Sequence, residues 1–277
     1  MPDVFANITG APPAVLEVIA DALELRASIP QQREMQRTYL RDIEFPAGAE
    51  VLEIGCGTGA IARVLAAWPG VGKVVGVDPS PYLIDKARTL GSRIPNLVFE
   101  QGDGNALGFE DASFDVAVLH TVLTHVPVPE AVLAEAYRVL RPGGWLGVCD
   151  GDFSTATVST GGLDPLEACV HAFVDGFVTD RWLVRRLSGL VAAAGFAVSP
   201  LRSYGLVETA QPRLSLTWVD RGADVLAGRG RISQKFAAAL KEEAKRRAEA
   251  DAFFGYMAYA SLVGRKPVAP AGAQVGR

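Results

Sequence analysis

The run Val51-Leu52-Glu53-Ile54-Gly55-Cys56-Gly57-Thr58-Gly59 constrains this chain more than any other stretch, because an apolar strand pattern ends there in an acid and three closely spaced glycines. Val51 to Ile54 are the branched and aliphatic residues of a buried strand. Glycines after such a strand remove the side chains that would hold a ligand away from the backbone. The helical pattern at residues 60–67 would aim its free first-turn amides at the same place.

The remaining pattern extends this opening into a sheet. Strand-like runs at residues 73–77, 97–100, 114–119 and 145–149 alternate with helical runs at 81–90 and 129–140, the last with Pro129 in its first turn, where a missing amide proton costs little. Continuous apolar strands separated by helices predict a parallel sheet covered on both faces. Before it, residues 12–25 and 31–40 predict two helices, an amino-terminal cap over residues 1–45. After it the regularity breaks. Residues 151–162 read as a Ser, Thr and Gly-rich loop, 166–177 and 181–194 as helices with Gly195 as a left-handed cap, 196–203 and 257–264 as strands, and 233–253 as a long helix between them. Residues 46–266 are expected as one domain with helical insertions near 151–180 and 208–254, and 267–277 as a disordered tail.

A formal net charge of -4 over 277 residues, with no basic block, argues against phosphate-backbone binding, so no nucleic-acid partner is expected. Cys56, Cys149 and Cys169 are too scattered for a disulfide framework and read as free thiols. No run approaches the length of a membrane span, and the expected location is the cytoplasm, as monomer or homodimer.

Two adenosine cofactors suit the glycine loop. Gly55-x-Gly57-x-x-Ala60 satisfies the dinucleotide fingerprint, with Asp78 placed to hold a ribose. Glu53 and Gly59 complete a tighter E-x-G-x-G-x-G pattern, suited to a ligand without a pyrophosphate whose amino-acid portion carries an ammonium. That ligand is S-adenosylmethionine.

Four blocks carry a resemblance to the class I SAM-dependent methyltransferases of the UbiE/Coq5-like group (methyltransferase type 11/25). They are Val51 to Gly59; Val75-Gly76-Val77-Asp78-Pro79-Ser80; Gly102-Asp103-Gly104-Asn105-Ala106-Leu107 with Ser113-Phe114-Asp115-Val116; and Arg138-Val139-Leu140-Arg141-Pro142-Gly143-Gly144. The resemblance covers residues 48–150. It implies an α/β Rossmann-like seven-stranded sheet, order 3-2-1-4-5-7-6 with strand 7 antiparallel, helices on both faces and a helical insertion between strands 6 and 7. On it, Gly55, Cys56, Gly57 and Gly59 approach the methionine and ribose portions, Glu53 orders the loop or reaches the ammonium, and Asp78 with Pro79 meets the ribose. Asp103, flanked by Gly102, Gly104 and Asn105, recognises the adenine. Gly108 stands where relatives usually carry proline.

The implied reaction is metal-independent transfer of the SAM methyl group to a small apolar or aromatic metabolite, leaving S-adenosylhomocysteine. His120, after the fourth strand, is the first candidate to touch SAM or the acceptor; an unperturbed imidazole there could assist a phenol. His125 is the second candidate, although helix geometry across the intervening residues would point the two rings apart. Asp152, near Asp150 in the loop after strand five, is a candidate acceptor-site hydrogen-bond partner, and that pair lacks the third acid a metal would want. Phe153, Phe173, Trp182, Tyr204, Tyr256 and Tyr259 are candidates to wall an apolar pocket. Two other readings stand beside this one: a SAM-fold protein that does not methylate (a cyclase, decarboxylase or binding protein), and an NAD(P)-dependent oxidoreductase.

Overall fold

The computed structural model describes residues 3–268. Alternation along the central strands divides the interior between two faces. On β1 (Ala49–Ile54), Val51 joins one core while Leu52 and Ile54 join the other. On β4 (Phe114–His120), Val116 and Val118 follow Val51 while Ala117 and Leu119 follow Leu52. Helices α2 (Pro30–Leu40), α3 (Ala60–Ala66) and α6 (Leu166–Phe177) supply residues to the first core, and α5 (Pro129–Val139) and α7 (Leu187–Ala193) to the second. Both faces of the sheet are covered.

β1 pairs in parallel with β2 (Val71–Asp78) and β4, and β2 with β3 (Leu97–Gln101). β4 pairs in parallel with β5 (Leu140–Thr157), which is antiparallel to β8 (Gly255–Arg265). The sheet order is β3-β2-β1-β4-β5-β8-β6, where β6 is Ala197–Val198, with β7 (Arg202–Glu208) also on β8. This is the expected Rossmann-like order, with the expected sixth strand divided in two.

That division has a visible cause. The stretch read as one strand over residues 196–203 becomes β6 (Ala197–Val198) and β7, with Pro200 between them; proline cannot donate to a ladder. Residues 151–157, expected as loop, continue β5 instead. Local composition said loop, but β8 offers partners as far as Tyr256 opposite Thr157, and threonine accommodates a strand readily. Residues 181–194 are not one helix: a 3-10 turn at Leu183–Arg186 precedes α7, and Gly195 follows at φ +102°. The insertion holds two helices, α8 (Leu214–Gly228) and α9 (Gln234–Glu249).

The amino-terminal segment builds the roof of the cleft. A 3-10 turn (Phe5–Gly10) and α1 (Pro13–Ser28) carry Ile8, Leu16 and Ile19 into a small core with Leu83 of α4 (Pro81–Gly91). No helix among the described residues is long and apolar enough to cross a membrane. Of the expected tail, residues 269–277 lie outside the described residues.

Candidate functional site

The glycine loop closes as a unit with the end of β2. The amides of Gly55 and Cys56 donate to the Val77 carbonyl at 2.7 and 2.9 Å, and the amide of Gly57 to Asp78 Oδ2 at 2.9 Å. Gly55 and Gly57 hold φ of +72° and +52°, where a side chain would be strained. A Cβ on Gly55 would also come within 2.6 Å of the Val122 side chain. Gly59, expected at the cofactor, also has a part in the fold. It is the left-handed N-cap of α3, and a Cβ there would collide with the Phe99 ring. Packing by itself is enough to require that third glycine.

Asp78 is 7% exposed, its Oδ1 accepting from the Ser80 amide at 2.9 Å. Ser80 Oγ, not Asp78, caps α4 by accepting from the Leu83 amide. Each Asp78 oxygen accepts one bond and retains capacity for another. Burial lifts its carboxyl to about 6, against the pull of the Ser80 and Gly57 amides. Glu53 is 1% exposed, and its Oε2 has no hydrogen-bond partner among the described residues. Burial, with Asp78 adding, pushes its carboxyl well above the ordinary value. An orphaned buried carboxyl oxygen beside a glycine cradle matches a ligand ammonium, so this donor set fits S-adenosylmethionine.

The cleft has two lobes that share Phe5, Ile8, Gly55, Pro79, Val122 and His125. Glu53, Cys56, Gly57, Asp78 and His120 wall the first. Gly102, Asp103, Gly104 and Asn105 wall the second, where Asp103 Oδ1 accepts from the Asn105 amide at 2.9 Å and its Nδ2 at 2.8 Å. Asn105 therefore orients the acid expected at the adenine.

His120 and His125 both reach the first lobe, against the expectation that only one would. His120 ends β4, and its Nδ1 lies 3.0 Å from the Tyr39 hydroxyl. Burial, then Arg26, lowers its basicity to about 3. His120 is thus held neutral, and is a weaker base than the unperturbed imidazole anticipated. Thr121, next along, holds φ of +56°, an unusual geometry for a β-branched residue and one concentrated at functional sites. His125 closes a 3-10 turn, Leu123–His125, with Nδ1 3.0 Å from Asp3 Oδ2. Asp150 braces that turn from β5, Oδ1 accepting from Thr124 Oγ1 at 2.7 Å.

Asp152 requires a correction. It lies in β5 rather than a loop, walls neither lobe, and its Oδ1 accepts from the Ser154 amide and hydroxyl while Arg185 Nε lies 3.5 Å from Oδ2. Local turn formation takes its lone pairs. His171 sits on α6, its side chain 61% exposed beside Glu167.

An aromatic chamber adjoins the first lobe, the two sharing Phe5, Leu23, Arg26 and His125 as lining. Phe153, Phe173 and Tyr259 line it as expected, together with Phe177, Trp218 and Met257. Phe173 stacks near parallel on both Phe177 and Trp218. The other expected aromatics do not line it: Trp182 is half exposed beneath Arg185, Tyr204 meets Ser261 Oγ at 2.9 Å, and Tyr256 pairs along β7. Arg26, Gln32 and Gln36 wall the first lobe from α1 and α2. No motif marks them. The sole sequence signal is a pair of glutamines four residues apart, facing inward from an otherwise polar helix.

Residues 52–148 match the sequence profile of a family described as a methyltransferase domain. A 37.1 kDa protein of transposon TN4556 from Streptomyces fradiae is 34% identical over 64% of this chain and 51% of its own length. Demethylmenaquinone methyltransferase of Tropheryma whipplei (strain Twist) is 35% identical over 47% of this chain and 53% of its own. The chain thus spans about half the length of these curated relatives. Among solved structures, the [4+2]-cyclase SpnF superposes with a TM-score of 0.56 at 21% identity, covering 88% of this chain and 85% of that one, a likeness of fold. Profile and relatives together mark residues 52–148 as a methyltransferase domain, similar in sequence to demethylmenaquinone methyltransferases of the UbiE/Coq5-like type.

Proposed function

We propose that this protein transfers the methyl group of S-adenosylmethionine to a small, largely apolar metabolite without a metal. One observation carries the reading: Glu53, Asp78 and the glycine cradle wall a lobe that adjoins, across Phe5, Leu23, Arg26 and His125, a chamber of stacked aromatics. Glu53 Oε2 would receive the ammonium, Asp78 the ribose hydroxyls, and Asp103 the adenine edge. The cofactor supplies an already activated methyl group, so the chain has to bind, align and exclude water.

Phe5 and Ile8 cover the lobes, and His125 fixes that cover through Asp3. Tyr39 orients the neutral His120 at the lobe wall. The Asp150 and Asp152 carboxylates already serve Thr124, Gly151 and Ser154, which favours the metal-free reading. S-adenosylhomocysteine should raise the melting temperature while NADPH leaves it unchanged, and labelled SAM should pass its methyl to an apolar acceptor. Stabilisation by NADPH instead would sink the reading.

A further inference from the structure

The stripe that α8 turns toward the aromatic chamber ends in a charge. Leu214, Thr217, Trp218 and Arg221 recur at the spacing of one helical face, and all four line the chamber. Leu214 and Trp218 suit an apolar wall, and Thr217 turns its hydroxyl back to the Leu214 carbonyl at 2.6 Å. Arg221 does not suit one, and no aspartate or glutamate stands among the chamber's lining residues. Asp21, Asp220 and Asp224 line an outer groove on the other side of Arg221, but none forms an ion pair with it among the described residues. Lys241 and Lys245 of that groove already pair with Asp224 and Glu242, at 2.7 and 2.9 Å.

The protein satisfies Arg221 only in part. Its Nη2 donates to the Val18 carbonyl at 3.2 Å, and its guanidinium lies 5.7 Å from the Phe177 ring centroid. A guanidinium carries five N–H donors, so most of the fork is left over. Desolvation disfavours its charge, and no acid counters that. A cation drawn into an apolar wall without a counter-charge is destabilising until a ligand's anion offsets it. Arg26, the other arginine of the chamber, is placed differently: it also lines the cofactor lobe, where its charge acts on Glu53 and His120. Arg221 lines the chamber and the groove but not that lobe, so an anion held there stands apart from the cofactor.

We propose that the acceptor is a flat, apolar carboxylic acid, bound as its carboxylate on Arg221 with its body along the rings of Phe173, Phe177 and Trp218. One unpaired cation matches one negative charge, and a guanidinium fork meets a carboxylate in two parallel bonds that set direction as well as position. The carboxylate is a handle and not the methylated group. The methyl enters at the opposite end of the molecule, toward the cofactor, and the product remains a free acid. This inference rests on the methyl-transfer reading.

The probe is 2-naphthoate, titrated by calorimetry into protein saturated with S-adenosylhomocysteine, beside the neutral isostere 2-naphthamide and the more highly charged 2-naphthyl phosphate. The wild type should bind the carboxylate at least about tenfold more tightly than the amide, and more tightly than the phosphate. Arg221→Gln should erase the preference for carboxylate over amide, while affinities for the amide and for S-adenosylhomocysteine stay within about twofold. Arg221→Lys keeps the charge without the fork and should retain part of the preference, which supplies the reading if the glutamine variant does not fold. Arg26→Gln should leave the preference in place. Equal binding of carboxylate and amide, tighter binding of the phosphate, or no binding of naphthoate would each overturn the proposal. So would a preference that survives Arg221→Gln, that is undiminished in Arg221→Lys, or that is lost in Arg26→Gln. Failure of the wild type to bind S-adenosylhomocysteine would instead overturn the reading beneath it.

Discussion

Asp78 and Glu53 are carboxyls held in a place that disfavours their charge until a ligand arrives. The folded Asp78 carboxyl, near 6, lies above its ordinary value of 3.8. The folded state thus binds the proton more tightly than the unfolded one, and this contribution to stability is fullest in acid. It is lost as pH rises through both values. Glu53 acts in the same direction. In ligand-free protein, wild-type stability relative to Asp78→Asn should fall as pH goes from about 4 to about 7, measured by denaturant unfolding. Cofactor binding needs the charged acceptors, so S-adenosylhomocysteine affinity should weaken below about pH 6 in the wild type and less steeply in Asp78→Asn, where only Glu53 still titrates. At neutral pH that variant should bind about tenfold more weakly, by calorimetric titration. Glu53→Gln removes a buried ionisable group and should stabilise the free protein while weakening cofactor binding.

Among the elements, glycines decide how closely two of the site's walls can stand. Phe99 of β3 lies against Gly59, Gly76 and Gly91, so its ring fills space that a methyl group at any of the three would contest. Gly59→Ala combines a φ of +75° with a collision against that ring, and should destabilise by about 3 kcal/mol. Adding Phe99→Leu should recover about 1 kcal/mol in a double-mutant cycle, as it would not if the glycine acted only through the cofactor. Gly222 of α8 sits so near α6 that a Cβ would collide with the Cys169 carbonyl. These helices present Trp218 and Phe173 to the aromatic chamber. Gly222→Ala should cost about 3 kcal/mol, read from the unfolding midpoint, and loosen the chamber.

At the scale of the whole molecule, the amino-terminal segment is tied across the cleft by a few polar contacts. Asp3, 6% exposed, accepts from the Phe5 amide at 2.9 Å and from Thr179 Oγ1 at 3.0 Å, and meets His125 at 3.0 Å. Phe5 then rests on the His125 ring, with centroids 4.4 Å apart. One carboxylate thus joins the start of the chain, the turn after β4 and the segment after α6. Asp3→Ala should speed dissociation of S-adenosylhomocysteine about tenfold in stopped-flow displacement, by releasing this cover, while leaving global stability within about 1 kcal/mol. Unchanged dissociation would mean that the segment does not gate the cleft.

The parallel half of the molecule was legible because its signals are local. β-branched runs, the glycine loop, Asp78 after β2 and Pro129 at the start of α5 each declare themselves within a few residues, and the cofactor side of the site follows from them. What escaped was decided by partners distant in the chain. β5 runs to Thr157 because β8 lies beside it, about 100 residues later in sequence, and a Ser and Thr-rich stretch does not announce that partner. His120 looked like a base in sequence, but its basicity is set by burial under Tyr39 and by Arg26, which no spacing encodes. Asp152 looked available until Ser154 and Arg185 occupied it. The sequence by itself determined the sheet and the cofactor loop, since both follow from short-range pattern and backbone sterics. Only the tertiary structure brought Arg26, Gln32 and Gln36 to the first lobe and the aromatic residues of α6 and α8 to the chamber beside it, because burial and proximity exist only once the chain has folded.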